Sequence, residues 1–549
     1  MPQPQSPAPA PSRRVIIALC VIILLAACLR TWGLRSLVYT NPDEALFSYF
    51  IVRVAGLSPL TLHPANNAIA NLLSWDYGWP LYTVDYLYLK GLQAVGLPLY
   101  EATLALPTAV FGCLTCLLIY LLGARFGGRR AGLIAAALVA VMPLLVGRSR
   151  SIGGAEACSG FLFLLAALQI THYLQQPDRK RQWLAGLCLG LYVCGDVQVA
   201  IGATVLLLLT MLWPRAEGYP GVKGWLRLVV TPGTLVPPLL LFAPYLPTYA
   251  YALKLGYRDQ TYLGTMLAEH HPDFGFHLSG FLYDLALNTG FLPLLLIPVA
   301  LFALRGRLSD GRVRWLLVWI ALTALTFLVA VTDKVTQASG YHEHLVAGLA
   351  LLLGLALASL RPRPVGTALA GVAVLGALFF TCAGVLRLAP LTPYWPSEKI
   401  PYGGLTPNNG MKTAGYWVRG NVPPSENVFA AHDPGVAGWY LGRDAIIGGY
   451  GYGMERAGSF LRAKSQVSVA VIPAQHDLYP PSLFAANGFP GRIIVRSGGR
   501  EVLNVYTRKS LQQTLDTEQC DPLYTEAYHT SQEIVPPGSG YVPGKRVRQ

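Results

Sequence analysis

Apolar runs, each about as long as a helix needs to cross a bilayer, dominate the first 387 residues of the chain. Eleven such runs occur, at residues 15–32, 103–122, 131–147, 156–174, 183–195, 197–213, 228–247, 284–304, 314–331, 343–360 and 365–387. Repeated runs of this kind predict a polytopic α-helical membrane protein of about eleven transmembrane helices.

A twelfth stretch, residues 79–97, has helical character but is too polar for a lipid-facing span. It carries Thr83 and Asp85 near its start and Lys90 further on. Because charged groups are costly at the centre of a bilayer, we expect a juxtamembrane or re-entrant helix here.

Basic residues fall into alternate loops between the apolar runs. Only 13% of the 549 residues are charged, and the formal net charge is +14. If 79–97 does not span and the N-terminus is cytoplasmic, most Lys and Arg of the short loops lie on the cytoplasmic side, as the positive-inside rule requires. The pattern therefore predicts a multi-pass protein of the cell (plasma or inner) membrane with its C-terminus outside. This topology accounts for the positive charge without a nucleic-acid partner.

The composition changes from about residue 388, where four prolines within twelve residues mark a linker. Residues 411–420 then predict a helix, and short alternating segments predict strands. Those segments are 428–430, 467–472, 492–495 and 502–507. We therefore expect a transmembrane domain over 1–387, an extracytoplasmic α/β domain over 388–520 and a loose tail over 521–549.

Ionisable residues collect in the predicted outer loops. They include Asp43 and Glu44 after the first run, and Arg148, Arg150 and Glu156 around the start of the fourth. Lys334, His342 and His344 lie just before or at the start of the tenth run. Such residues at membrane depth are frequently functional. Asp43 and Glu44 also suit simple capping of the amphipathic helix predicted over 45–54, because carboxylates favour a helix N-terminus.

Carboxylates, cations and a large apolar body suit the chemistry of a lipid-linked phosphosugar. A carboxylate can deprotonate an acceptor hydroxyl as a general base. Arg, Lys or His can stabilise the departing phosphate. A lipid phosphate leaving group needs no metal if such cations are in place. A divalent metal is compatible with this chemistry, but the spacing of His342 and His344 does not indicate one.

Several segments in order resemble the GT-C superfamily of membrane glycosyltransferases, with protein O-mannosyltransferases and lipid A aminoarabinose transferases as the nearest groups. The segments are Asp43-Glu44 after the first run, Gly78-Trp79-Pro80-Leu81-Tyr82, the Arg-rich stretch 123–131, the loop from Arg148 to Glu156-Ala157, and Tyr341 before the run 345–357. The resemblance covers roughly residues 15–390.

The resemblance implies a GT-C-like catalytic domain that transfers a sugar from a polyprenyl-phosphate donor to a protein, lipid or glycan acceptor, with inversion at the anomeric carbon. Asp43 would be the base, Glu44 would support it, and Glu156 would be a second acid. Four further residues, Tyr82, Asp85, Tyr341 and His344, are candidates for binding the substrate.

One feature of the family is missing. The aminoarabinose transferases have a phosphate-binding Lys just before their Pro pair, where this chain has Gly78 or Trp79. The phosphate ligands must then come from elsewhere, and the candidates are Arg148, Arg150, Lys334 and His342.

Two other functions remain open at this point. A transporter or flippase for a lipid-linked or envelope substrate would suit about eleven spans, although the sequence shows no inverted repeat. A non-catalytic subunit of an envelope assembly would make Asp43 dispensable.

Overall fold

The computed structural model describes residues 12–34, 51, 79–97, 101–151, 155–195, 199–243, 274–330, 342–388, 410–432, 434–442, 445–447, 458–474 and 479–517. The described chain forms two compact units. The first comprises residues 1–34, 72–84 and 105–404, and the second comprises residues 35–71, 85–104 and 405–549.

The described residues among the first 388 form helices joined by short turns and loops. The helices are α1 (Arg13–Thr31), α2 (Trp79–Ala94), α3 (Glu101–Leu104), α4 (Leu106–Gly127), α5 (Arg129–Val141), α6 (Pro143–Arg148), α7 (Ala155–Gln175), α8 (Arg179–Val193), α9 (Val199–Leu212), α10 (Gly221–Val229), α11 (Pro232–Phe242), α12 (Phe274–Thr289), α13 (Leu292–Leu295), α14 (Ile297–Leu304), α15 (Gly311–Ala330), α16 (Glu343–Ser359) and α17 (Arg363–Phe380). A 3₁₀ turn (Arg305–Arg307) follows α14, and a π-helical turn (Thr381–Val385) extends α17.

Helix overlaps each of the eleven apolar runs, and residues 79–94 are helical as expected. Within the described residues, four helices are long and apolar enough to cross a membrane, at Arg13–Thr31, Ala102–Gly127, Ala157–Gln175 and Arg363–Val385. Two further apolar pairs are bent, by 46° between α10 and α11 and by 113° between α12 and the helical stretch 292–307. The run 284–304 is therefore not one continuous helix, and the count of eleven spans stays a prediction.

Small residues bring three helices of the first unit into close contact. A Cβ on Gly132 of α5 would lie 2.4 Å from the Tyr120 carbonyl oxygen of α4. A Cβ on Gly354 of α16 would lie 2.7 Å from the Ala131 carbonyl oxygen of α5. Side chains larger than hydrogen are excluded at both places, and backbones packed this closely gain dispersion contacts that do not depend on water. These crossings fix α4, α5 and α16 against one another.

Arginines tie the helix ends together on one side of the first unit, here called the basic end. Arg125 donates to Thr171 Oγ1 at 2.9 Å, and Arg312 donates to the Arg125 carbonyl at 2.9 Å. Arg307 donates to the Phe126 carbonyl at 3.2 Å, and Arg130 donates to the Arg363 carbonyl at 2.7 Å. The bonds to the Arg125 and Phe126 carbonyls satisfy groups that the C-terminus of α4 leaves without helical partners. The basic end thus gathers loops that the charge pattern assigns to a single side of the membrane.

The second unit contains a six-stranded mixed sheet in the order β2-β1-β3-β5-β4-β6. Its strands are β1 (Asn427–Ala430), β2 (Ala445–Ile447), β3 (Val467–Pro473), β4 (Gly491–Ser497), β5 (Arg500–Thr507) and β6 (Gln512–Asp516). Helices α18 (Met411–Asn421), α19 (Pro434–Leu441), α20 (Gly458–Ala463) and α21 (Pro481–Ala486) alternate with them. The helix and the strands expected in this region are present, together with β2 and β6, which the pattern did not indicate.

Aromatic side chains form much of the core beside this sheet. Phe484 of α21 stacks on Tyr506 of β5 with 4.1 Å between ring centroids, and Phe460 of α20 lies 4.7 Å from Phe484. Phe429 of β1 contacts Phe460 edge-on at 5.2 Å. Rings of this size contribute large buried areas, so a few of them suffice to hold short helices on the sheet.

Candidate active site

The other end of the first unit, here called the polar end, buries a group of charged side chains among the helix termini. Thr108 in the first turn of α4 donates to the Ser151 carbonyl at 2.7 Å, whereas Arg125 of the basic end lies in the last turn of the same helix. The polar and basic ends are therefore at opposite ends of α4. Arg148 and Arg150 lie beside Ser151, and His342, Glu343 and His344 begin α16.

Arg30, near the end of α1, is fully buried at the polar end. Helix α5 ends at Val141 because Pro143 has no N–H with which to continue the hydrogen-bond ladder. The guanidinium of Arg30 donates to the carbonyls that are left, reaching Ala140 at 3.1 Å, Val139 at 3.3 Å and Leu145 at 3.4 Å. The sequence interpretation missed this residue, although an arginine inside the apolar run 15–32 was the signal that could have found it.

Arg150 makes the reciprocal contact with the end of α1. Its Nη1 donates to the carbonyls of Leu29 at 2.9 Å, Arg30 at 3.3 Å and Trp32 at 2.6 Å. Burial and the nearby Arg30 guanidinium lower the pKa of Arg150 to about 10, so the side chain keeps its charge at neutral pH. These bonds give Arg150 a structural task in addition to any part in phosphate binding.

His342 lies in a buried polar environment with Arg148 and with Asn288 of α12. The Asn288 amide nitrogen lies 3.2 Å from His342 Nδ1, and Phe281 meets the imidazole edge-on at 5.3 Å. Asp284, one turn before Asn288, is also buried. Burial and the positive charge of Arg148 lower the pKa of His342 to about 3, so the imidazole is neutral at pH 7. The sequence interpretation named Arg148 and His342 but missed Asp284 and Asn288.

Glu343 and Arg30 line one small pocket at the polar end, with a volume of about 20 Å³, enough for about one water molecule. Ser149, Gly112 and Thr115 contribute to the same wall. The pocket thus places a buried cation, a buried carboxyl group and hydroxyl groups around a water-sized space.

His344 lies against aromatic rings. Its imidazole meets Phe163 at 5.0 Å and Tyr192 at 6.1 Å, both edge-on. An aromatic enclosure of this kind presents a flat apolar surface beside polar groups. Such a surface is compatible with substrate binding and with simple packing.

Two candidates for substrate binding, Tyr82 and Asp85, lie on α2. Both are buried, and burial raises the pKa of Asp85 to about 8. The Asp85 carboxyl group is therefore largely protonated at neutral pH, which makes it a hydrogen-bond donor as well as an acceptor.

Of the predicted acids, Glu156 lies on a described helix. Glu156 lies in the first turn of α7, where the structure describes its place on the helix. Asp43, Glu44, Lys334 and Tyr341 lie outside the described residues. Within the described ranges, no group of three or more His, Cys, Asp or Glu side chains is arranged to hold a metal ion.

Solved structures show the same fold over nearly the whole chain. ArnT from Cupriavidus metallidurans in the apo state superimposes with a TM-score of 0.59 at 15% identity, over 90% of this chain and 98% of ArnT. The same protein bound to undecaprenyl phosphate gives a TM-score of 0.56 over the same shares.

The chain has a GT-C fold. This confirms the fold that the sequence segments indicated. The archaeal oligosaccharyltransferase AglB from Archaeoglobus fulgidus, in complex with an inhibitory peptide and a dolichol-phosphate, shares the GT-C architecture with a TM-score of 0.52. It is 16% identical over 84% of this chain and 69% of AglB.

A family model adds a sequence-level match to this fold. Residues 98–246 match the model of the family described as dolichyl-phosphate-mannose-protein mannosyltransferase. No curated protein sequence matches the chain significantly. The family match and the structural similarity thus agree on a GT-C architecture.

Proposed function

We propose that this GT-C protein transfers a sugar from a polyprenyl-phosphate donor to an acceptor on the outer side of the membrane, with inversion at the anomeric carbon. The observation that carries the proposal is the full-length similarity to ArnT, which also binds undecaprenyl phosphate in a solved structure. The buried cations at the polar end supply the charge that a lipid phosphate needs.

In the proposed reaction the acceptor hydroxyl oxygen attacks the anomeric carbon. The carbon–oxygen bond to the phosphate breaks, and the bonding electrons leave with the lipid phosphate. Asp43 takes the hydroxyl proton as general base, with Glu44 and Glu156 as supporting acids. Donors fixed in position stabilise the charge that develops on the leaving phosphate.

Arg148 and His342 are the strongest of the four proposed phosphate ligands in the part of the chain that the structure describes. Arg148 is a buried cation beside a neutral imidazole. Arg150 is bonded to the end of α1, so it has a structural task beside any part in phosphate binding. A neutral His342 can donate a hydrogen bond to a phosphate oxygen and keep its proton.

The test is transfer of label from a panel of radiolabelled polyprenyl-phosphate sugars in membranes that contain the wild type or Asp43→Asn. We expect transfer by the wild type and a loss of roughly 100-fold or more in the variant, because a general base of this kind contributes that much. Glu217→Gln is the matched control, since it neutralises an exposed carboxylate in the same way.

The outcomes separate the alternatives. Equal transfer by wild type and Asp43→Asn would keep the enzyme class and remove Asp43 as its base. The absence of transfer from every donor, with the protein shown to be folded, would favour the transporter or flippase.

A further inference from the structure

Helix α10 (Gly221–Val229) differs from the other described helices of the first unit in its side-chain pattern. Apolar residues recur every fourth position at Val222, Leu226 and Val230, and basic residues recur beside them at Lys223 and Arg227. Residues four apart lie on one face of a helix. The sequence therefore gives α10 an apolar stripe next to a basic stripe.

The opposite face of α10 is anchored to the protein. Trp225 Nε1 donates to Thr210 Oγ1 of α9 at 2.8 Å, and the Leu228 carbonyl accepts from the Tyr173 hydroxyl of α7 at 3.0 Å. Gly224 lies so close to the Tyr219 backbone that a Cβ would approach it to 2.3 Å. These contacts hold α10 at the ends of α7 and α9, on the side of the basic end.

Both stripes point away from the protein. Val222 is 71% exposed, Leu226 43% and Val230 56%. Lys223 and Arg227 are exposed as well. Helix α11 continues from α10 at a bend of 46° and carries no charge. The bend separates an apolar helix, suited to hydrocarbon, from an amphipathic one, suited to the boundary between hydrocarbon and headgroups.

We propose that α10 is a binding surface for anionic phospholipid, with Val222, Leu226 and Val230 among the acyl chains and Lys223 and Arg227 on the headgroup phosphates. Charge complementarity selects this occupant. Residues 213–230 contain three basic residues and one acidic residue, Glu217. Arg215 supports the start of the helix through a 3.1 Å bond from its Nη1 to the Gly221 carbonyl. An anionic leaflet attracts each such cation appreciably.

Native mass spectrometry of the purified full-length protein tests the proposal. The protein is equilibrated with equal amounts of phosphatidylglycerol and phosphatidylcholine, and the lipids that it retains are counted. We expect the wild type to prefer phosphatidylglycerol, and Lys223→Gln/Arg227→Gln to lower that preference by roughly tenfold or more. Added inorganic phosphate should not compete, because it lacks acyl chains.

Two further variants make the test specific. Val222→Ser/Leu226→Ser should lower the retention of both lipids, because it removes the apolar stripe and keeps the charge. Arg361→Gln removes an exposed arginine from another loop and should leave the preference unchanged. Unchanged preference in Lys223→Gln/Arg227→Gln, or an equal loss in Arg361→Gln, would overturn the proposal. None of these readouts depends on glycosyl transfer.

Discussion

Arg30 and Arg150 hold two helix ends by exchanging contacts. Arg30 of α1 donates to carbonyls at the end of α5. Arg150, which follows α6, donates to carbonyls at the end of α1. A guanidinium suits this task because its donors fan out in one plane and it keeps its charge when buried. These arginines therefore hold the helix ends of the polar end together in the absence of substrate.

Replacing Arg30 with Met should destabilise the protein by about 2–4 kcal/mol, because the buried carbonyls of Val139 and Ala140 lose the guanidinium that donates to them while the volume stays similar. Thermal unfolding in detergent measures the change. Arg14→Met is the matched control, since Arg14 is an exposed arginine of the same helix. Equal melting temperatures for the two variants would show that Arg30 is dispensable for stability.

At the scale of single residues, the sequence indicated polar residues that the structure buries, but not their contacts. It selected Arg148, His342 and His344 from their place beside apolar runs, and all three are buried at the polar end. It could not distinguish the role of Arg150 from that of Arg148, because the carbonyls that Arg150 contacts at the end of α1 lie about 120 residues away in the chain. Asn288 was missed for the same reason, since only folding brings it to His342.

At the scale of secondary-structure elements, a break interrupts the helical path after α12. Gly290 has φ +86° and Phe291 has φ +57°, both in the left-handed region. Phe291 is held there by stacking on Phe380, with 5.0 Å between ring centroids. The chain turns by 113° at this point, so α12, which carries Asp284 and Asn288, runs in a different direction from α14.

Gly290→Ala should cost about 2–3 kcal/mol of stability. A Cβ at this position would lie 2.6 Å from Ala377 Cα, and a positive φ is unfavourable for alanine. Gly306→Ala is the control, because Gly306 follows in the same segment with nothing within 4 Å of its Cβ position. Urea or thermal unfolding of both variants gives the comparison. A control that loses as much stability as Gly290→Ala would remove the steric explanation.

Hydropathy located the helices but not this break. An apolar run reports that a segment avoids water, and Leu292 to Leu304 are as apolar as a straight span. The turn depends on a glycine that touches α17 and on a ring that stacks on Phe380. Neither contact leaves a periodic signal along the chain.

At the scale of the whole molecule, charge patterning and structure agree on which loops share a side. Arg125, Arg130, Arg307 and Arg312 come from loops far apart in sequence and meet at the basic end. The alternation of basic loops predicted this grouping without any structure. The direction of the molecule in the membrane stays a prediction.

Epitope insertion tests that direction. A tag between Gly498 and Gly499, in the open turn from β4 to β5, should be reached by an antibody applied to spheroplasts, because the sequence predicts that the C-terminal domain is extracytoplasmic. A tag beside Gly218, in the open turn before α10, should be reached only after permeabilisation. The reverse pattern would invert the topology and move the proposed chemistry to the cytoplasm.

The contacts of Arg30 also impose an order of events during synthesis. Its acceptor on Ala140 lies 110 residues downstream, so at a typical translation rate roughly 5–20 s pass between the emergence of the charge and that of its partner. During this interval the Arg30 side chain must extend toward the headgroups, and α1 spans the membrane without the contacts that later hold it. Chains truncated before residue 139 should be extracted from membranes more readily than chains that extend past residue 151. Helix α1 thus becomes a permanent membrane anchor only when α5 has been made.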